Sequence, residues 1–386
     1  MLAPYEAPNT ATRMLTIVMG LIDTFTASQR REALIADFDD PRRLDWDIIP
    51  RPDRTGISLH HVDRHQKVLI WDLIRSAVSQ RTFTKILGIT QLEHVLRDYE
   101  GEFLGPALQS WRTSDSYFLT IFGRPGFEDT WMLRFLGHHV CLNITVIDQR
   151  WICATPSALG AQPTEYDGVL TPLADDEGLG FEVLESLTSE QRNAATIHHT
   201  APADFVTRQV PQIGAYEYPD IYDLGMPDYT ITDLDRTALK FERATPTGAC
   251  GATLQARTQQ LLWKLIDCYL DRLPPECGAA HHGATRAAGM SEVHFSWAGA
   301  FERGQAHYFR VHTGTLLIEA VNSVGGANHL HTVLRDFRND FGLALLERAG
   351  QDHRWGRRHL QTRSVSSATP ESALNPIPTG HSDDTR

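Results

Sequence analysis

Residues 325–342 read GGANHLHTVLRDFRNDFG, the stretch of this chain densest in groups that can do chemistry. His329 and His331 stand two apart, with Asn328 before them and Arg335 and Asp336 after. Alternate residues of an extended chain face the same way, so both imidazoles can be presented to one point. A metal ion or an anion suits such a point. Zinc or iron needs at least a third nitrogen or oxygen ligand. His138, His139, His307 and Glu319 are the candidates. Glu319 interrupts the apolar run Leu316-Leu317-Ile318, and a carboxylate there must be paired, liganded or exposed. It is a candidate ligand or general base. Arg335 either belongs to an ion-paired turn with the acids that follow or clamps a carboxylate or phosphate through its bidentate fork. The same residues could line a metal-free polar pocket.

His138-His139 lies in RFLGHHVCLNITVID, where a strand begins. Strand alternation puts His138 with Val140 and Leu142 on one face, and His139 with Cys141, Asn143 and Thr145 on the other. The two rings are then expected to diverge, unless a bulge or turn at Gly137 brings them together. His139, Asn143 and Thr145 make a candidate polar pocket wall. Arg310 lies on the strand before Glu319, on the face opposite His307. The other histidine pairs, at 60–61, 198–199 and 281–282, sit in polar or loop-like contexts and suit surface or capping roles.

The elements that must position these groups come in two series. SQR at 28–30 and SEQR at 189–192 each follow one expected helix and open another. LIWDLI at 69–74 and LLWKLI at 261–266 each carry an apolar stripe at helical spacing. Each helical part precedes a β-like segment, 116–148 and 292–323, in which aromatic and β-branched residues alternate between Gly-rich turns. Phe122-Gly123 corresponds to Ala298-Gly299, and Arg134 to Arg310. The pattern is that of a diverged internal duplication. The expected class is α+β: two similar halves, 15–150 and 175–345, each helices followed by an antiparallel β meander, packed as one compact unit. Residues 149–175 and 209–233 read as irregular, the latter with Tyr216, Tyr218, Tyr222 and Tyr229 as a loop or pocket wall. The tail, 351–386, is expected to be disordered.

Composition bounds the function classes. The net charge is -12, which argues against nucleic acid as a main partner. Five cysteines, an odd number without CxxC spacing, suit buried free thiols in a reducing cytoplasm rather than a disulfide framework. No apolar run approaches the ~18 residues of a membrane span. A GxGxxG between strand and helix, a Walker loop, GxSxG and HExxH are all missing, so no nucleotide cofactor is expected.

GHHVCLNITV at 137–146, FSWAG at 295–299, HYFRV at 307–311, GGANHLHTVLRDFRNDFG at 325–342 and the SEQR and QQLLWKLI segments together carry a resemblance. Over about residues 20–345 the chain resembles the uncharacterised family catalogued as "domain of unknown function 3500". The resemblance implies that His138, His139, Glu319, Asn328, His329, His331 and Arg335 match characteristic positions. It implies no activity. This chain departs where the family pattern runs Tyr-Asp-Asn-Thr-Gln after the glutamate: here Ala320-Val321-Asn322-Ser323-Val324 follow, and the acid is lost at Val321. Leu334 replaces an aromatic before Arg335.

The expected site gathers His138, His139, His329 and His331 around a divalent metal, with Glu319 and Arg335 in catalytic roles and Asn143, Asn328 and Arg310 binding substrate. The expected function is that of a metal-dependent hydrolase or oxidoreductase acting on a small polar or anionic molecule. The alternatives are a non-catalytic small-ligand binder, a diverged member without activity, or histidines that bond backbone groups between the halves.

Overall fold

A computed structural model describes residues 3–128, 130–207, 209–213 and 232–348, together with the backbone alone of 100–109. The first series runs α1 (Pro8–Thr24), α2 (Ala27–Ala33), β1 (Leu34–Ile35), β2 (Ile57–Ser58), α3 (Arg64–Ala77), α4 (Gln80–Trp111), β3 (Tyr117–Gly123), β4 (Thr130–Gly137), β5 (Val140–Ile147), β6 (Trp151–Cys153) and β7 (Ser157–Ala161). The second runs α5 (Ala174–Ser186), α6 (Ser189–Ala195), β8 (Thr196–His198), α7 (Asp233–Leu239), β9 (Ala249–Cys250), α8 (Ala256–Leu270), α9 (Pro275–Ala288), β10 (His294–Gly299), β11 (His307–His312), β12 (Leu316–Asn322), β13 (Leu330–Asp336) and α10 (Leu343–Arg348). Among the described residues no helix is long and apolar enough to cross a membrane.

Local chemistry explains the helix starts. Thr26 and Gln29 form a capping box on α2, and Thr188 and Gln191 form another on α6. Each satisfies backbone N–H groups that a helix N-terminus leaves unpaired. The apolar stripes of α3 (Ile70, Leu73, Ile74, Ala77) and α8 (Leu262, Leu265, Ile266, Tyr269) are buried, as their spacing requires.

The strands join one mostly antiparallel sheet, in the order β1-β3-β4-β5-β7-β13-β12-β11-β10-β8. β1 lies parallel to β3, and β8 parallel to β10. One face packs on the helices through residues such as Leu119, Leu133, Phe135, Phe295 and Phe309. The other packs under the segments around Phe38–Ile48, Phe205–Ile213 and Phe337–Leu346.

Two expectations are corrected. The stretch 149–175 is not irregular throughout: it contains β6 and the central strand β7. β7 reads SALGA and is buried at every position, so it lacks the alternation that would mark it. His138-His139 is not part of a strand but the two-residue turn between β4 and β5, where Gly137 pairs with Val140. The tail from 351 and Tyr216, Tyr218, Tyr222 and Tyr229 lie outside the described residues.

Candidate metal centre

The first two imidazoles come from the β4–β5 turn. His139 has φ 61°, in the left-handed region that glycine favours. A non-glycine residue there costs ~1–3 kcal/mol and persists only when its surroundings hold it. They do: His139 N–H donates to the Ile48 carbonyl at 3.0 Å, and Gly160 N–H donates to the His139 carbonyl at 2.8 Å. Tyr117 Oη donates to the His138 carbonyl at 3.0 Å. The turn makes the two rings stack rather than diverge, with centroids 3.6 Å apart.

The other two come from the loop and first turn of β13. Gly325, Gly326 and Ala327 all have positive φ and reverse the chain. His329 N–H then donates to Asn322 Oδ1 at 3.0 Å, which seats the loop on the end of β12. His329 and His331 face the same way, as two-residue spacing predicts, with their Nε2 atoms 3.0 Å apart. His139 Nε2 lies 2.8 Å from His329 Nε2.

Gly160 makes the convergence fit. It is the β7 residue paired with His331, and it is bonded to His139 on the other side. A Cβ on Gly160 would lie 2.7 Å from His139 Cδ2 and 3.0 Å from the Leu330 carbonyl oxygen. His138, His139 and His329 place ligand-capable nitrogens all within 4.8 Å of one another, and His331 adjoins this set through His329.

Carboxylates stand behind two of the rings. Asp204 Oδ1 lies 3.0 Å from His331 Nδ1. Glu93, on α4, is bonded to His138 Nδ1, and Arg112 Nη1 lies 3.1 Å from Glu93 Oε2 and 2.7 Å from His138 Nδ1. Glu93, Arg112 and His138 are all buried. Burial pushes the Glu93 carboxyl up, but His138 and Arg112 outweigh it and hold it below the usual range. Burial, and then the neighbouring imidazoles, hold His139 and His329 well below the ordinary histidine value. Burial also lowers His138. Neutral imidazole is the form that binds metals.

Hydrogen bonding among neutral rings satisfies this arrangement poorly. A carboxylate on His331 Nδ1 fixes a proton there, and in the neutral ring Nε2 then carries the lone pair. His329 Nε2 carries either one proton or one lone pair, yet it faces two other Nε2 atoms at 2.8 and 3.0 Å. A single proton or lone pair on His329 Nε2 cannot point along both contacts at once. A cation shared by His139, His329 and His331 would satisfy all three.

Several residues expected to act on substrate have other partners. Glu319 is fully buried, and its oxygens accept from Val206 N–H, Thr207 N–H, Thr207 Oγ1 and Tyr308 Oη. Arg335 donates to Asp340 Oδ2 and to the Val210 carbonyl, both at 2.7 Å, so it belongs to the ion-paired turn. Arg310 donates to the Leu239 carbonyl and to Thr247 Oγ1. The Asn143 amide donates to the Pro156 carbonyl and accepts from Arg134 Nε. Asn328 Oδ1 accepts from the Thr164 N–H and hydroxyl, each at 2.9 Å. Each of these groups thus has protein partners, as buried polar groups require. Asp204, Glu93, Arg112 and Gly160 were not read from the sequence. Each is brought in from a distant segment, and no spacing links it to the histidines.

The family described as "Protein of unknown function (DUF3500)" matches residues 7–343, so the chain belongs to it. No curated protein and no solved structure matches the chain.

Proposed function

We propose that this family member binds one divalent transition-metal ion through Nε2 of His139, His329 and His331, with His138 stacked behind His139. The carrying observation is the single nitrogen of His329 facing two further imidazole nitrogens at 2.8 and 3.0 Å. Three nitrogens each ~2.0–2.1 Å from one ion stand about 2.9 to 3.4 Å apart for angles from right-angled to tetrahedral. The His139–His329 and His329–His331 separations, 2.8 and 3.0 Å, are close to the lower end. Three protein ligands leave coordination positions for water or substrate, as catalytic sites require. A bound ion would activate a water or polarise a substrate oxygen, so the reading is a metal-dependent hydrolase or oxidoreductase acting on a small polar or anionic molecule. The second reading, ligand binding without chemistry, is favoured by Val321: it pairs across the sheet with His331 and brings no carboxylate there.

The site also bears on how the chain is built. β1 and β8, parallel to β3 and β10, and the sheet order running outward from β7–β13 support a duplication with halves 15–150 and 175–345. The histidines would then come from both halves. Free cysteines at 141, 153, 250, 268 and 277 support a cytoplasmic setting.

Elemental analysis of the purified full chain, with cobalt and zinc titrations of the chelated protein, tests the reading. About one ion per chain is expected, with His329→Ala losing it. Protein that carries no metal and takes up neither ion at micromolar concentration would overturn it. If His138→Ala loses the ion as completely as His329→Ala, His138 is itself a ligand.

A further inference from the structure

Asp204 reaches His331 from a segment that has no regular structure of its own. Residues 202–207 pass over the end of β12 and carry Asp204 and Phe205 to the His331 ring. Such a segment holds a side chain in place only if its own backbone groups are fixed.

Three anchors fix it, and all belong to β12–β13 or the residue just after β12. Ser323 Oγ donates to the Pro202 carbonyl at 2.7 Å. Glu319 receives Val206 N–H at 2.9 Å, Thr207 N–H at 3.4 Å and the Thr207 hydroxyl. Arg335 donates to the Val210 carbonyl at 2.7 Å. Asp204 lies between the first two anchors. Glu319 and Thr207 are fully buried, so these bonds are shielded from competing water.

We infer that residues 202–207, with 209–210, are a strap that fixes Asp204 on His331 Nδ1, and that Glu319 and Arg335 are positioning residues of the metal centre acting through that strap. This rests on the metal reading above. Asp204 holds His331 in the Nδ1–H tautomer and so points the Nε2 lone pair at the ion. Glu319 acts one step further out: it keeps Asp204 within reach.

Coupling tests the strap. Asp204→Asn should weaken cobalt or zinc binding by about tenfold, the lower end of the range for outer partners of a metal-bound histidine. Glu319→Gln should weaken it through the same contact, so the double variant should bind no more weakly than Asp204→Asn alone. Thr207→Val removes the strap's hydroxyl anchor without touching Glu319, and serves if Glu319→Gln does not fold. Ring 15N shifts of His331 in the metal-free protein should report the Nδ1–H tautomer in the parent chain and a mixture in Thr207→Val. A parent chain that binds metal as tightly as both anchor variants, or losses that add to that of Asp204→Asn, would overturn the strap. If the parent chain binds no metal, the earlier reading fails. The His331 tautomer then decides the strap alone: no change in Thr207→Val sinks it.

Discussion

His139 shows how much of the site rests on single residues. Its left-handed backbone would suit glycine better, yet an imidazole stands there and contacts His329. Gly160 is the complementary case, a residue whose missing side chain makes room for that imidazole. Gly160→Ala should therefore destabilise the chain by roughly 1–3 kcal/mol, because the Cβ meets the His139 ring and a backbone oxygen that cannot both withdraw. It should also abolish tight metal binding. Chemical denaturation and a cobalt titration check the two effects, and unchanged cobalt affinity would contradict the placement of His139. His329 and His331 were legible from their spacing. The approach of His139 was not, because strand alternation says nothing about a two-residue turn, and Gly160 carries no functional group to notice.

At the scale of elements, α3 and α8 were legible because one apolar stripe at helical spacing requires one buried face. β7 was not, since a strand buried on both faces and built of Ser, Ala, Leu and Gly has no alternation. The same burial gives α9 and β11 a pH dependence. Burial lowers His281, on α9, and His312, at the end of β11, each to about 4. An unfolded histidine titrates near ~6.5, so between about 6.5 and 4 the unfolded state binds protons that the folded state does not. Stability is then full above about pH 6.5 and falls as the pH drops toward 4. Urea unfolding at pH 7.5 and pH 5 should show this loss, and His281→Phe should reduce it by filling the place beside Tyr5 with a ring that cannot be protonated. Equal pH sensitivity in the variant and the parent chain would sink the assignment to His281.

At the scale of the whole molecule, an α+β pattern was legible, but the joining of both β segments into one sheet was not. That joining depends on β7 meeting β13, a pairing between a strand without a signal and the strand that carries the histidines. A buried charge network lies against this seam on the helical face. Asp176, on α5, binds Lys85 of α4 and Arg272, which follows α8. Arg272 also donates to the Ser157 carbonyl on β7 and to Thr332 Oγ1 on β13. One carboxylate thus balances two buried cations, and one of those cations grips both seam strands. Removing a single member of such a set leaves uncompensated charge in a low-dielectric interior, at about 3–5 kcal/mol. Asp176→Ala should lower stability by that amount. Lys85→Met added to it should recover part of the loss, because an apolar side chain needs no counter-ion. The segments on both sides of the β7–β13 seam contribute strands to one sheet and side chains to one network, so each variant should still unfold in a single transition by calorimetry. Two separate transitions in the parent chain would mean that the seam does not couple the strands on its two sides. A metal centre drawing His139 from one side and His329 and His331 from the other would then lack the rigid frame that its geometry needs.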